Sequence, residues 1–318
     1  GIKTRVVASS LIPDIPSHRV KTDRTDAEKL LQFWLQDLLT FVTPPSPEEE
    51  EARSLIRCRE FLVRMRKSTH ARILSLVHVY GLEYLQAEQK KTYRSKHFWA
   101  WLRREITQMP EGWRFIFNSL VDGYDMIDNL IKTYDSKIEG LSQLNRYRDQ
   151  VLTLTQFWGV SPLVAMTIIC EIGDIRRFAS ASQLMSYVGF SISEYSSGGR
   201  ERKMGITKSG NSWLRLHLIR IFQKYKWMKF STLSKRCKSH RSQAPAWAYE
   251  LSQKCLLRLK TKAQRLSLRD KPSNKIKVAL AREFVGFVWE ALMRLSNEKS
   301  QLVSMRIVSN EVSAFNSY

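Results

Sequence analysis

The sequence predicts a mostly α-helical protein with a small α/β part. Apolar residues recur at three- and four-residue spacing through most of residues 46–295, which is the pattern of amphipathic helices. Only residues 4–8, Thr-Arg-Val-Val-Ala, have the β-branched composition of a strand. Proline and glycine clusters divide the helical pattern into segments. With 318 residues and 43% hydrophobic content, the chain is long and apolar enough for roughly two domains with their own cores.

The first helix is expected to begin at Thr22 or Asp23, either of which can cap its N-terminus. Asp23 and Asp26 are three residues apart and therefore share one face of that helix. Two carboxylates on one face could form half of a divalent-metal site, because Mg²⁺ prefers oxygen ligands. A helix cap and a solvated surface charge also explain the same two acids and are the commoner role of such a pair, so the spacing alone leaves both interpretations open.

Residues 46–150 have the pattern of long helices. One begins at Pro47, has four glutamates in its first turn and extends to about Tyr80. A second helix contains Phe98 and Trp99, and a third is expected from Trp113 to about Tyr147. Long paired helices of this kind predict a helical hairpin or coiled coil that acts as a scaffold or a dimerisation arm.

From residue 151 the apolar segments become shorter. Gly159-Val160-Ser161-Pro162 separates two helical segments, which is the layout of a helix-hairpin-helix element or of an ordinary helical turn. The polar tail from Asn297 is expected to be loosely ordered. Further helices are predicted at residues 163–170, 184–190, 212–229, 247–266 and 277–295.

The most unusual stretch is residues 195–211, where four glycines rule out a stable helix. Ser196 and Ser197 stand immediately before the first two glycines. Such a stretch suits either a solvated loop between helices or a backbone that approaches a phosphodiester closely. The cations assigned to nucleic-acid binding are Lys21, Arg200, Arg202, Lys203, Lys208 and Arg215.

The charge of the chain is extreme and unevenly distributed. The net charge is +22, and residues 196–282 contain 23 lysines and arginines but only three acids. A field of this strength favours a polyanionic partner, either nucleic acid or an anionic membrane surface. No apolar run approaches the roughly 20 residues of a membrane span. Trp227, Phe230 and Trp247 could stack on bases, although a core position is the favoured interpretation for Trp247.

The four cysteines are far apart and show no Cys-x-x-Cys motif. This predicts reduced thiols in a cytoplasmic protein and argues against zinc.

Several motifs occur together in one order, and in this combination the chain resembles the DEDD transposases of the insertion-sequence one-hundred-and-ten family, relatives of the Piv invertase. The resemblance covers residue 1 to about residue 295. The motifs that carry it are Val-Lys-Thr-Asp-Arg-Thr-Asp-Ala (20–27), Glu-Ile-Gly-Asp-Ile-Arg-Arg-Phe (171–178), Tyr-Val-Gly-Phe (187–190), Ser-Ser-Gly-Gly-Arg (196–200), Gly-Ile-Thr-Lys-Ser-Gly-Asn-Ser-Trp-Leu-Arg (205–215) and Ala-Arg-Glu-Phe-Val-Gly-Phe-Val-Trp (281–289).

The resemblance implies four regions. Residues 1–45 would be the C-terminal part of a RuvC-like (RNase H-like) DEDD domain, and residues 46–150 a helical coiled-coil insertion. Residues 151–295 would be an α-helical transposase domain, and residues 296–318 a polar tail. Asp23 and Asp26 match the third and fourth acids of the family, whereas the first two are expected in strands that would precede residue 1, which makes the chain an N-terminally truncated member.

The resemblance also implies the chemistry. A serine nucleophile, assigned to Ser197 with Ser196 as the alternative, would cut and rejoin double-stranded DNA with the help of Mg²⁺ or Mn²⁺ bound by Asp23 and Asp26. A structured guide RNA, a homo-dimer or homo-tetramer and a location at the bacterial nucleoid are expected. The alternatives are a catalytically inactive nucleic-acid-binding remnant and a RuvC-like nuclease that hydrolyses DNA without the serine.

Overall fold

A computed structural model of the chain describes residues 4–8, 12–13, 22–84, 92–197, 200–228 and 242–315. Residues 194–197, 200–204, 227 and 302–315 are described by their backbone alone. The described residues are mostly helical, as the sequence predicts. Their contacts divide the chain into two compact units, residues 1–50 and residues 51–318. The predicted boundaries at residues 150 and 295 stay predictions.

The elements follow one another in a simple order, with two short 3₁₀ helices between the longer ones. The strands are β1 (Val6–Val7), β2 (Phe41–Val42), β3 (Ile192–Ser197) and β4 (Arg200–Ile206). The helices are α1 (Asp23–Leu35), α2 (Pro47–Val79), α3 (Lys96–Thr107), α4 (Glu111–Ser142), α5 (Asn145–Leu154), α6 (Pro162–Ile172), α7 (Ala181–Val188), α8 (Ser212–Ile221), α9 (Ala246–Leu268) and α10 (Ser273–Phe315). The 3₁₀ helices are Ile175–Arg177 and Phe222–Trp227.

The first unit contains α1 and a two-stranded antiparallel sheet. Val6 pairs with Val42, and Val7 pairs with Phe41. The predicted start of α1 is confirmed, because the Thr22 hydroxyl accepts the backbone N–H of Thr25 and the two side chains form a reciprocal capping box. The first unit is therefore held by local capping and one short strand pair.

The second unit begins with an antiparallel arm made by α2 and α4. Arg59 forms an ion pair with Asp135, and Arg66 forms one with Asp128, so the two helices run in opposite directions. Farther along the arm, α3 packs between them through an aromatic core that includes Phe98. This arrangement agrees with the predicted helical hairpin.

Three predicted helix ends are wrong. The helix predicted at residues 212–229 ends at Ile221, because the 3₁₀ helix Phe222–Trp227, with a non-helical backbone at Lys224, follows it. The third long helix ends at Ser142 rather than near Tyr147, because Leu144 adopts an extended backbone and caps the separate helix α5. Tyr147 is then buried in the apolar core that helices α5 to α10 share. The tail from Asn297 is helical to Phe315, since residues 287–315 contain neither glycine nor proline and α10 continues without a break.

Helices α5 to α10 share one large apolar core. Helix α6 is buried along nearly its whole length, and α10 packs against α5, α7, α8 and α9. Among the aromatic members, Phe222 lies edge-to-face on Phe284, as does Phe157. Trp247 packs against this core, which confirms the core interpretation for that residue, and Arg294 lies 4.6 Å from its ring centroid.

Candidate functional site: a serine hairpin on a buried polar base

The glycine-rich stretch forms the antiparallel hairpin of β3 and β4. Ser196 pairs with Glu201 and Ser197 pairs with Arg200, so both serines lie at the end of β3 next to the connection. The stretch is not helical, as predicted, but it is a hairpin rather than a loop between helices. Residues 198 and 199 lie outside the described residues, and Gly-Gly is one of the dipeptides that two-residue hairpin connections favour. That dipeptide was the signal for the hairpin.

The return of the chain from the hairpin is tied to the C-terminal end of α7. The backbone N–H of Thr207 donates to the Ser191 carbonyl at 2.8 Å, and that of Asn211 donates to the Tyr187 carbonyl at 2.8 Å. Between them, the Lys208 N–H donates to the Gly189 carbonyl at 3.2 Å. The root of the hairpin is therefore fixed by main-chain contacts to a helix in the core.

Two glycines make this close approach possible. Gly210 has a φ of +114°, and a Cβ there would lie 2.2 Å from the Tyr187 carbonyl oxygen. Gly189 ends α7 with a φ of +78°, and a Cβ there would lie 2.4 Å from the Ser209 carbonyl oxygen. A side chain at either position would push the hairpin away from α7.

A buried polar network lies beneath the root. Glu171, at the end of α6, accepts two hydrogen bonds from the Arg57 guanidinium, at 2.8 and 2.9 Å. It also accepts the Asn211 side-chain amide at 2.7 Å. Asn211 caps α8 by accepting the Leu214 N–H, and the Tyr187 hydroxyl donates to the Glu171 carbonyl. One carboxylate thus joins α2, α6 and the residue at which the hairpin leads into α8.

Glu171 is organised as a permanent anion. Its side chain is only 2% exposed, and burial alone would raise its pKa. The hydrogen bonds from Arg57 and Asn211 outweigh burial and hold the pKa of Glu171 below its ordinary value. All its partners are donors that remain in place, so this carboxylate positions the hairpin rather than exchanging protons.

A second buried acid, Glu60, lies on α2 itself. Glu60 accepts from Arg220 of α8 at 2.7 Å. The His217 Nε2 lies 4.0 Å from the Glu60 carboxylate, is buried and has no hydrogen-bond partner. Burial lowers the pKa of His217 below its ordinary value. The two acids together fix α8, and with it the hairpin root, against α2.

An open depression of about 360 Å³ lies beside the N-terminus of α8. The Arg64 guanidinium lies 4.7 Å from the Trp213 ring centroid at its edge. Arg215 donates to the Val188 carbonyl at 2.7 Å, so this predicted nucleic-acid ligand also stabilises the end of α7. The residues that line the depression are Arg64, Ser212, Trp213, Arg215, Leu216 and Ile219.

The structure says less about the other cations that are predicted to bind nucleic acid. Lys208 is exposed at the hairpin root with a φ of 57°. Arg200, Arg202 and Lys203 lie in β4, described by its backbone alone, and Lys21 lies outside the described residues. The nucleic-acid contacts of all these cations stay predictions.

Asp23 and Asp26 both lie in the first turn of α1, on a solvent-accessible face. Their oxygens suit Mg²⁺, but two carboxylates supply only part of a coordination shell. Within the described ranges, no group of three or more histidine, cysteine, aspartate or glutamate side chains is arranged to hold a metal ion. Metal binding by Asp23 and Asp26 stays a prediction.

The predicted helix-hairpin-helix element is built into the core. Val160 is buried, and a Cβ at Gly159 would lie 2.9 Å from the Ile221 side chain. The Ser161 hydroxyl accepts the Val164 N–H and so caps α6. The turn explains how α5 and α6 pack, while phosphate binding by it stays a prediction.

Comparison with known proteins identifies the segment that carries the hairpin. Residues 152–238 match the model of the Transposase IS116/IS110/IS902 family. Over 294 residues the chain is 29% identical to y4qE, a provisionally named transposase from Sinorhizobium fredii. The match covers 91% of this chain and 69% of y4qE.

Two further relatives are named as transposases of insertion sequences. The transposase for insertion sequence element IS1111A from Coxiella burnetii is 26% identical over 69% of this chain and 58% of its own length. The transposase for IS1533 from Leptospira borgpetersenii is 24% identical over 85% of this chain and 77% of its own length.

The chain is thus similar over most of its length to transposases of insertion sequences, and its hairpin segment matches the IS116/IS110/IS902 transposase family. Of the helices that the structure describes, none is long and apolar enough to span a bilayer.

Proposed function

We propose that this chain cuts and rejoins DNA during movement of an insertion sequence, using a serine as nucleophile. The supporting observation is the anchored hairpin, which holds Ser196 and Ser197 at the end of β3 within the segment that matches the transposase family. The 23 cations among residues 196–282 supply the field that attracts a polyanionic substrate. Ser197, which is directly followed by glycine, is the assigned nucleophile, with Ser196 as the alternative.

The proposed step conserves the energy of the phosphodiester bond. The serine Oγ attacks phosphorus while the bond to one bridging DNA oxygen breaks. The serine proton passes to the surroundings, and the leaving oxygen takes up a proton to become a deoxyribose hydroxyl. Attack by a DNA hydroxyl on the phosphoserine reverses these changes and rejoins strands without another energy source. A neutral serine needs activation for this attack.

We propose that Mg²⁺ or Mn²⁺ is required, with Asp23 and Asp26 contributing ligands. A bound divalent ion would supply positive charge that lowers the proton affinity of an attacking hydroxyl. The observation in favour is the pair of accessible carboxylates in the first turn of α1.

We also propose a structured RNA that pairs with the DNA and a dimeric or tetrameric assembly. Cations outnumber acids in residues 196–282 by more than a solvated surface requires. This excess of positive charge suits RNA as well as DNA. Exposed apolar side chains on the arm, among them Phe61 on α2 and Met126 on α4, favour an assembly of several copies. Light scattering of the purified protein with and without co-purified RNA tests both points.

The central experiment measures excision and integration of the element that encodes this chain. Ser197→Ala is expected to abolish both reactions, and denaturing gels of the wild-type reaction are expected to show DNA covalently bound to protein. Ser191→Ala is the matched control, because Ser191 lies just before β3 and is expected to leave the reaction intact. Normal integration by Ser197→Ala, with loss in Ser196→Ala, would move the role to Ser196; normal integration by both would end the proposal.

The main alternative is a nucleic-acid-binding protein without catalysis. The observation that favours it is the incomplete ligand set around Asp23 and Asp26 among the described residues. It predicts salt-sensitive DNA binding but no strand transfer at any Mg²⁺ or Mn²⁺ concentration. A third possibility, hydrolysis without the serine, predicts that Asp26→Asn abolishes cleavage while Ser197→Ala leaves it unchanged.

A further inference from the structure

We propose that α9 and the start of α10 form a second DNA-binding surface, which contacts the backbone of double-stranded DNA without reading its sequence. This surface is separate in the sequence from the serine hairpin and contains none of the cations assigned to nucleic-acid binding above. The choice of DNA rests on the proposed function. We call the surface the basic ridge; its members are Lys254, Arg258, Lys262, Arg265, Arg269, Lys271, Lys275 and Arg282.

The ridge is a continuous row of cations. Along α9 its members follow one another at spacings of four, four, three and four residues, which places them on one face of the helix. From Lys254 to Arg269 the row is about 22 Å long. Residues 254–282 contain ten lysines and arginines but only one acid, Asp270.

One further acid organises the ridge without neutralising it. Glu283 of α10 accepts hydrogen bonds from both Arg258 and Lys262. It holds these two cations side by side across the α9–α10 hairpin. Four members, Arg265, Arg269, Lys271 and Lys275, are exposed and form no ion pair with any residue that the structure describes.

The positions of these cations are unfavourable for the helix that carries them. Helix α10 has no acid in its first turn and instead has Lys275 there, followed by Lys277 at the start of the second turn, next to the positive end of the helix dipole. Helix α2 shows the usual arrangement, with Glu48, Glu49 and Glu50 in its first turn. A polyanion bound at the N-terminus of α10 would remove the repulsion between these lysines and the helix dipole. This gives the lysines a binding role.

The composition of the ridge selects duplex DNA over single strands. Residues 250–283 contain no phenylalanine, tyrosine or tryptophan. Single-strand binders stack bases on aromatic side chains, and the ridge has none to offer. A straight row of about 22 Å instead matches the phosphates along about six base pairs of a duplex.

The test is a fluorescence anisotropy titration of the full chain with a 30-base-pair DNA duplex of arbitrary sequence, at several KCl concentrations. The ridge variant carries Arg265→Gln, Arg269→Gln, Lys271→Gln and Lys275→Gln. We expect it to bind at least tenfold more weakly at 100 mM KCl. The slope of log K against log[KCl] should decrease in magnitude by about 2 to 4, because each lost phosphate contact contributes about 0.9.

The matched control removes the same charge from the arm, through Lys67→Gln, Arg72→Gln, Arg114→Gln and Lys137→Gln, all exposed. The control should keep the wild-type salt slope, and thermal melting should show that both variants fold. An equal loss in the control would attribute binding to net charge and overturn the proposal. So would an unchanged slope in the ridge variant, or a loss seen only with an RNA duplex of the same sequence.

Failure of DNA binding by the ridge can be distinguished from failure of the proposed strand transfer. If wild-type protein binds DNA through the ridge but never transfers strands, the ridge stands and the serine chemistry fails. If strand transfer occurs while the ridge variant binds duplex normally, the reverse holds.

Discussion

The two sets of predicted catalytic residues lie in surroundings of opposite character. The hairpin that carries Ser196 and Ser197 is rooted on a buried network in which Glu171 joins three distant parts of the chain. Asp23 and Asp26 lie on an accessible first turn, and their nearest stabilising feature is the capping box of Thr22 and Thr25. Long-range contacts therefore fix the root of the hairpin that carries the serines, whereas a cap formed by neighbours in sequence stabilises the turn that carries the aspartates.

This difference predicts which part of the chain each mutation should destabilise. Changes beneath the hairpin should reduce the stability of the whole second unit, because Val188 and Phe190 at the hairpin root belong to its core. Changes around the aspartates should affect α1 alone. The predictions below test this contrast, beginning with the largest expected effect.

Removing the buried acid should have the largest effect. Glu171→Ala removes the carboxylate that both Arg57 and Asn211 contact, and loss of one partner from an ion pair whose acid is only 2% exposed typically costs about 3–5 kcal/mol. Urea unfolding followed by circular dichroism measures the loss. Glu28→Ala is the control, because its ion pair with Arg24 is exposed and should contribute less than about 0.5 kcal/mol. Equal effects at the two sites would contradict the contrast.

The close approach at the hairpin root should be almost as sensitive. Gly210→Ala places a Cβ 2.2 Å from the Tyr187 carbonyl oxygen in a backbone conformation that alanine disfavours. We expect a loss of about 2–3 kcal/mol in unfolding free energy. Gly205→Ala is the matched control within the same hairpin, since no atom lies within 4 Å of a Cβ there and its φ is not positive. A tolerated Gly210→Ala would show that the hairpin root can move.

The buried histidine should make stability depend on pH. Burial lowers the pKa of His217 in the folded chain below the value of 6.5 that it has when unfolded. Below pH 6.5 the unfolded chain therefore binds a proton that the folded chain does not, so stability falls as the pH falls. We expect a loss of up to about 1.4 kcal/mol per pH unit between pH 6.5 and the folded pKa.

Urea midpoints at pH 7.5 and pH 5.5 measure this slope. Glu60 and Arg220 face the imidazole, so the control is His217→Gln, which keeps both neighbours and should flatten the slope. Persistence of the slope in that variant would assign it to another group.

The smallest effect is expected at the aspartates. Asp23→Asn with Asp26→Asn removes favourable charge from the helix N-terminus, which costs about 0.3–1 kcal/mol. Hydrogen exchange of the α1 amides should increase accordingly, while the amides of α6 stay unchanged. Thr22→Ala should increase exchange in α1 by a similar or larger factor, because it removes the cap. Destabilisation of α6 by either variant would show that α1 is coupled to the main core.

Much of the local structure was predictable because its causes are local. The start of α1 follows from Thr22, that of α2 from Pro47 and its glutamates, and the end of α7 from Gly189. The end of α4 was not predictable, because no glycine or proline marks the extended residue Leu144. The helical tail was mispredicted because polarity was read as disorder, although residues 297–315 contain good helix formers without a breaker.

The candidate site divides in the same way. Ser196, Ser197 and the flanking cations could be selected from glycine content, charge and motif order. Glu171 and Asn211 occur within the motifs of the family resemblance without a predicted role, and the sequence indicates no site role for Arg57, Glu60 or His217. No short spacing connects these residues, since Arg57 and Glu171 are 114 positions apart. A buried acid becomes recognisable only when its distant partner is known.

Composition, spacing and motif order are written along the chain, so they alone predict the helical class, the basic C-terminal half, the serine-glycine stretch and the resemblance to the transposase family. Only the tertiary structure decided that the stretch is a hairpin rooted on α7, that Glu171 and Glu60 hold α8 against α2, and that α9 and α10 align their cations in one ridge. These features depend on contacts between residues far apart in sequence, and such contacts exist only after the helices have packed.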